Sequence, residues 1–138
     1  MIGGIFVFLL ITNSEVGWLG IKAEMVRKPY RIALGIDHGV IVTDIIGDSP
    51  ADMGGLKIGD IITRVGDREI YELSDLRPLV RRNPDEVLRF EVLREGEKMA
   101  FQIKIGSREE VSDRIREEIK KFIRQLKEEI EKLRDGRV

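Results

Sequence analysis

The sequence has no cysteine, which excludes a disulfide framework, a thiol nucleophile, a thiolate zinc site and an iron-sulfur cluster. Its single histidine, His38, rules out a two-histidine metal site and leaves one residue through which a Ser-His-Asp triad would have to run. No sign of charge dominates: 24 Lys and Arg stand against 25 Asp and Glu in 138 residues, a formal net charge of -1, so no basic field draws the chain to nucleic acid. Asn and Gln are scarce while Glu, Lys, Arg and Ile abound, a balance met in proteins from hot environments. There is no Gly-x-Ser-x-Gly nucleophile turn and no His-Glu-x-x-His helix, and no lysine or strand-turn-helix context follows Gly3-Gly4 to make a phosphate loop. Catalytic, metal and cofactor-binding residues are therefore expected to be none, and His38, in the turn Ile36-Asp37-His38-Gly39, reads as a solvated turn residue.

With 42% hydrophobic residues, the chain can build one core and an appendage. Residues 1–16 open with Ile2 to Ile11, apolar or Gly throughout but about half of the ~20 residues a spanning helix needs. No basic stretch precedes the run, as a secretory signal would require. Two readings stay open for it: a membrane-associated segment with its start upstream, hence a membrane-associated or exported protein, or an element buried in the domain of an otherwise cytoplasmic one.

Residues 17–106 carry dense turn signals and short apolar runs, the pattern of a small α+β domain with a mostly antiparallel sheet. Strands are expected at Gly39 to Ile46, Ile61 to Val65, Val87 to Leu93 and Met99 to Ile105. The last two form a hairpin around Glu95-Gly96-Glu97, with Leu88, Phe90 and Val92 alternating against Arg89 and Glu91. A short helix is expected from a Ser74 or Asp75 cap to Arg82, with Pro78 in its first turn, where proline is tolerated.

Residues 107–138 change character. Ser107-Arg108-Glu109-Glu110 reads as a capping box, and nothing interrupts the pattern before Gly136, so a helix of roughly 28 residues, about 42 Å, is predicted. Its apolar stripe, Val111, Ile115, Ile119, Phe122, Leu126, Ile130 and Leu133, is spaced 4, 4, 3, 4, 4, 3, an eleven-residue repeat that keeps the stripe nearly straight. Ile115, Ile119, Phe122, Leu126 and Ile130 are the candidates to meet the same helix of a second copy in a homodimer.

The middle resembles a known family. Trp18-Leu19-Gly20-Ile21, Ala33-Leu34-Gly35-Ile36, Gly39-Val40-Ile41-Val42, Gly47-Asp48-Ser49-Pro50-Ala51, Gly55-Leu56-Lys57-Ile58-Gly59-Asp60-Ile61-Ile62 and Ser74-Asp75-Leu76 to Val80 look like a PDZ domain, more narrowly that of bacterial and archaeal HtrA-type serine proteases. Each motif also has a purely structural reading: Ser49-Pro50 starts a helix, Gly55 and Gly59 permit turns, and Asp60, a lone carboxylate, bonds loop amides. Gly54 stands where the family usually has alanine, which is expected to loosen that short helix.

The resemblance implies a small antiparallel β-sandwich or partly open barrel with two short helices, followed here by the long one. It also implies a peptide groove. Trp18, Leu19, Gly20 and Ile21 would present backbone N–H groups to a terminal carboxylate, and Ile21 to Met25, with Lys22 and Ala23, would pair with the ligand as an added strand. Leu76, Leu79 and Val80 are candidates for the opposite wall, where helical geometry lets Leu76 and Val80, or Leu79, face the groove. The implied partners are hydrophobic peptide segments or protein C-termini. Two features depart from the family: Glu15, Val16 and Gly17 stand where a basic residue often precedes the loop, leaving Lys22 to replace it, and no histidine starts the groove helix.

Three functions compete: a peptide-binding module, with possible membrane contact at the N-terminus; a regulatory piece of an HtrA-type or intramembrane protease, whose catalytic residues this chain lacks; and an assembly protein working through its long helix.

Overall fold

The computed structural model describes residues 15–109 and 113–134. Ile2 to Ile11, the stripe residue Val111 and the capping-box residue Glu110 lie outside them. In chain order the elements are β1 (Glu15–Trp18), β2 (Ile21–Met25), α1 (Lys28–Leu34), β3 (Val40–Ile45), α2 (Pro50–Met53), β4 (Ile61–Val65), β5 (Arg68–Glu69), α3 (Leu73–Arg81), β6 (Val87–Arg94), β7 (Glu97–Lys104), β8 (Gly106–Glu109) and α4 (Asp113–Arg134). The chain forms two units, of which one is Glu15–Arg108 and the other includes α4.

Alternation builds the main sheet. Phe90, Val92 and Ile103 point inward from β6 and β7 and are almost fully buried, while charged neighbours stay outside. Arg94 pairs with Glu97, so the hairpin turns on Glu95 and Gly96 alone, both at positive φ (50° and 81°), as a tight two-residue turn requires. The strand order is β2-β3-β4-β6-β7, antiparallel, with β5 beside β4; β1 and β8 form a second, two-stranded sheet. Among the described residues the main sheet does not close, and β2 and β7 are its edges. The architecture is α+β, a partly open sandwich around one core of Val40, Val42, Ile62, Val65, Ile70, Leu76, Phe90, Ile103 and Ile105.

Asp60 bonds a loop amide as expected and has in addition a cationic partner. It is 1% exposed, accepts the Lys57 amide at 2.8 Å, and is clamped by Arg94 Nε and Nη2, each at 2.8 Å. Arg94 also donates to the Gly55 carbonyl and lies 4.9 Å from the Phe101 ring centroid. This bidentate pair ties the loop before β4 to the hairpin.

Several expectations are corrected. The short helix starts earlier than Ser74 or Asp75: Glu72 is its N-cap, and Asp75 reaches back to accept the Tyr71 and Glu72 amides at 3.0 and 3.1 Å. Pro78 is consequently the sixth residue of α3, beyond the first turn, and a nine-residue helix absorbs the one backbone bond it cannot donate. Ser107-Arg108-Glu109 does not begin a helix, because β8 pairs with β1 and that ladder overrides the local capping signal; α4 begins at Asp113 and has 22 residues. In α4 Lys120 pairs with Glu117 at 3.3 Å, three residues apart. Gly54 is the C-cap of α2, which Ser49 caps at the other end through the Asp52 amide. A Cβ on Gly54 would lie 2.7 Å from Ile103 Cγ1, so the missing methyl makes room for a core side chain. His38 is half-buried, not solvated. Its Nε2 donates to the Thr63 carbonyl at 3.0 Å and its ring stacks on Tyr71 with centroids 4.5 Å apart. No described helix is long and apolar enough to cross a membrane.

Candidate functional site

The loop joining β1 to β2 is held from below. Leu19, 4% exposed, anchors it in the core; its carbonyl accepts the Ala51 amide at 3.0 Å, and that of Gly20 accepts the Ile46 amide at 2.9 Å. With both carbonyls committed to the domain, the Leu19 and Gly20 amides have no acceptor among the described residues and remain available to an anion. Gly20 has φ +86°, and a Cβ there would fall 2.4 Å from the Ser49 Cβ, so only glycine keeps this loop in place.

From the loop runs β2, an edge of the main sheet with β3 on its other side. Facing it, α3 presents Leu73, Leu76, Arg77, Val80 and Arg81, the 3- and 4-residue spacing of one helical face. A groove of about 400 Å³ separates the two, and Gly17, Trp18, Leu19, Gly20, Ile21, Lys22, Ala23 and Ile46 complete its lining. Its width is set by the main chain: a Cβ on Gly17 would lie 1.7 Å from the Val80 carbonyl oxygen, so β1 and α3 touch backbone to backbone.

Of the expected groove residues, Trp18, Leu19, Gly20, Ile21, Lys22, Ala23, Leu76 and Val80 meet here, and Leu79 does not. Leu79 lies on the other face of α3, where it shares a depression with Arg64, Val65 and Leu88. Leu73 lies before the expected helix start, while Arg77 and Arg81 fall inside the expected helix and escape a reading that seeks only apolar side chains for the wall. The expected pairing residues Ile115, Ile119, Phe122, Leu126 and Ile130 lie on α4, in the other unit.

The site is cationic at its borders. Among the described residues, Lys22, Arg77 and Arg81 line the groove and no carboxylate does. Arg108 of β8 stacks over the Trp18 ring, 4.0 Å from its centroid, bringing a positive charge to the loop that its preceding residues lack. At the start of α3, the Arg68 guanidinium 3.0 Å away, together with the Tyr71 and Glu72 amides, holds the Asp75 carboxyl below the usual carboxylate range.

Comparison with known proteins agrees with this geometry. A sequence profile of the PDZ domain matches residues 17–105. A protein of Ectopseudomonas mendocina described as a "Probable periplasmic serine endoprotease DegP-like" is 34% identical over 94 residues, 66% of this chain and 20% of the relative. One of Hahella chejuensis with the same description is 33% identical over 93 residues, 65% and 20% of the two chains. The chain thus spans about a fifth of the length of the curated relatives it matches. Among solved structures, the HtrA-type protease AlgW with a tripeptide superposes with a TM-score of 0.65 at 27% identity, covering 77% of this chain and 37% of that one. The PDZ domain of HtrA3 bound to a phage-derived ligand shares the fold, with a TM-score of 0.60 at 24% identity over 69% of this chain and 89% of that one.

Proposed function

Since this chain belongs to the PDZ domain family, we propose that its groove binds hydrophobic chain ends or extended segments, adding the ligand as a strand beside Ile21–Met25. The 138 residues carry the PDZ region of the HtrA type, about a fifth of the length of the relatives they match. The observation that carries the reading is the conjunction of an open sheet edge, an apolar helical wall and two uncommitted amides at the head of the groove. A short peptide loses its conformational freedom on docking, so affinities are micromolar, about 8 kcal/mol.

Trp18 is the only tryptophan and lines the groove, so its fluorescence reports binding without a label. Titrating the full chain with a peptide ending in valine is expected to give a saturable change. Val80→Glu should abolish it. So should Ile46→Glu, whose side chain is 52% exposed and whose replacement does not threaten the core. Binding unchanged in both variants would defeat the assignment of the groove.

The similarity to serine endoproteases supports a second reading, in which the module presents captured chains to a protease. The relatives' description as periplasmic supports export, with membrane contact assigned to Ile2 to Ile11. The half-exposed stripe of α4, from Ile119 (48% exposed) through Phe122 (60%) to Ile130 (58%), supports pairing with the same helix of a second copy.

A further inference from the structure

Within the unit Glu15–Arg108, α2 and α3 each bury residues in the core, and α1 buries none. It is held only at its two feet. Val26, 4% exposed, and Ile36 pack with Ile41, Ile61 and Leu93 in a small second cluster, and the Val26 amide donates to the Gly39 carbonyl at 3.0 Å. Between the feet only Arg31 turns partly inward, donating from Nη1 to the Asp37 carbonyl at 2.9 Å. Tyr30 and Ile32 are 65% and 70% exposed, and Leu34 and the neighbouring Met25 are exposed as well. From Met25 to Ile36 the chain carries Arg27, Lys28 and Arg31 and no carboxylate, the nearest on either side being Glu24 and Asp37. Neither Arg27 nor Lys28 has an ion-pair partner among the described residues.

We propose that α1 is a docking surface for an anionic lipid bilayer. Two observations choose this occupant. The first is the placement of the apolar side chains. At about 100° per residue, Tyr30 and Leu34 share one side of the helix and Ile32 lies on the opposite one. A groove on a folded partner covers one side of a helix and leaves the other wet, whereas the boundary between headgroups and acyl chains receives a short segment on both. The second is charge of a single sign. Arg27 and Lys28 can lay their methylene stems along the apolar layer and keep their charges among acidic headgroups, which attract such cations at close range. Tyr30 joins an apolar ring to a polar tip, the form suited to that boundary. None of these residues lines the peptide groove, and the surface is separate from Ile2 to Ile11, so lipid and peptide have different sites on this chain.

Because the chain has no cysteine, Ala33→Cys in α1 takes a single environment-sensitive dye, and Asp67→Cys, in the exposed turn between β4 and β5, takes the same dye as a control. Each labelled full chain is mixed with vesicles of phosphatidylcholine alone or with ~30% phosphatidylglycerol, at ~50 mM salt. The dye at position 33 is expected to shift to the blue on the anionic vesicles only, the dye at position 67 to stay unmoved, and the shift to weaken near ~500 mM salt. Arg27→Gln combined with Lys28→Gln should lower the apparent affinity about tenfold or more. Tyr30→Ser combined with Ile32→Ser should abolish the shift while leaving the urea midpoint in place, since both side chains are exposed. An unmoved dye at position 33 on a chain that sediments with the vesicles overturns the assignment to α1 and locates the contact elsewhere. Equal shifts on both kinds of vesicle, or at both dye positions, overturn recognition of anionic lipid by this surface. A shift at position 33 that grows with protein concentration in the absence of lipid gives the surface to a second copy, and no binding to either vesicle refutes the proposal outright.

Discussion

The unit Glu15–Arg108 and the helix α4 use the same kinds of apolar residue to opposite effect. In the former, Ile62, Ile70, Phe90, Ile103 and Ile105 are sealed from water by strands brought together from distant parts of the chain. On α4, Ile119, Phe122, Leu126 and Ile130 remain 44% to 60% exposed. Local backbone bonds and pairs such as Glu117 with Lys120 account for a helix but not for a fold, since ion pairs on a helix surface contribute only about 0.2 to 0.5 kcal/mol each. An amphipathic pattern therefore states that a face will be covered, and only the arrangement of the other elements states by what.

The sharpest way to break this contrast is to delete matched rings. Phe90→Ala should lower domain stability by about 3 to 5 kcal/mol. Phe122→Ala should leave the same transition within about 0.5 kcal/mol, both measured as urea unfolding followed by Trp18 fluorescence. Comparable losses would mean that α4 is part of the domain's cooperative unit.

A smaller loss, about 2 to 3 kcal/mol, is expected of Arg94→Met, which strips the buried Asp60 carboxylate of its guanidinium partner. Adding Asp60→Asn to that variant should recover part of the loss. A double variant less stable than the single one would show that Asp60 serves the loop through the Lys57 amide alone.

Ile119→Lys combined with Leu126→Lys should leave the urea midpoint of the domain in place and convert a dimer to a monomer by light scattering. A parent chain already monomeric at high micromolar concentration would refute pairing through α4.

The smallest effect is that of pH on α3. The Asp75 carboxyl has a folded pKa below its ordinary 3.8, so its contribution is complete above that value and is lost as pH falls below it towards the folded pKa. Unfolding curves at pH 5 and pH 3 should therefore differ less for Asp75→Asn than for the parent chain. An equal difference would locate the acid sensitivity elsewhere.

Strands and turns were legible wherever the information was local. The alternation through Phe90 and Val92, the Ser49-Pro50 helix start and the Trp18-Leu19-Gly20-Ile21 loop all stand where the sequence indicated. Contacts between distant residues were not legible: Asp60 meets Arg94 across 34 positions, and Arg108 reaches Trp18 from the other end of the domain. The capping signal at Ser107 was real as a local preference and lost to the β1–β8 ladder. Helix α1 escaped because it buries no residue and so shows no stripe, although Pro29 at its start and Gly35 in a left-handed C-cap were both visible. Leu79 stood as the alternative to Leu76 and Val80, and since apolar residues lie on both faces of α3, the pattern alone could not choose between them.

The contact of Gly17 with the Val80 carbonyl separates two properties that most binding clefts couple. The gap between the walls is gauged by main chain, which no exchange of lining side chains alters, so Leu73, Arg77 and Ile46 are free to drift while the gauge holds. Such a cleft can be retargeted one residue at a time, each intermediate still accepting an extended chain of the same thickness. Its history of ligands is then written in a few exposed positions of α3 and of the turn after β3, and its permanence in a single hydrogen atom where any other residue would carry carbon.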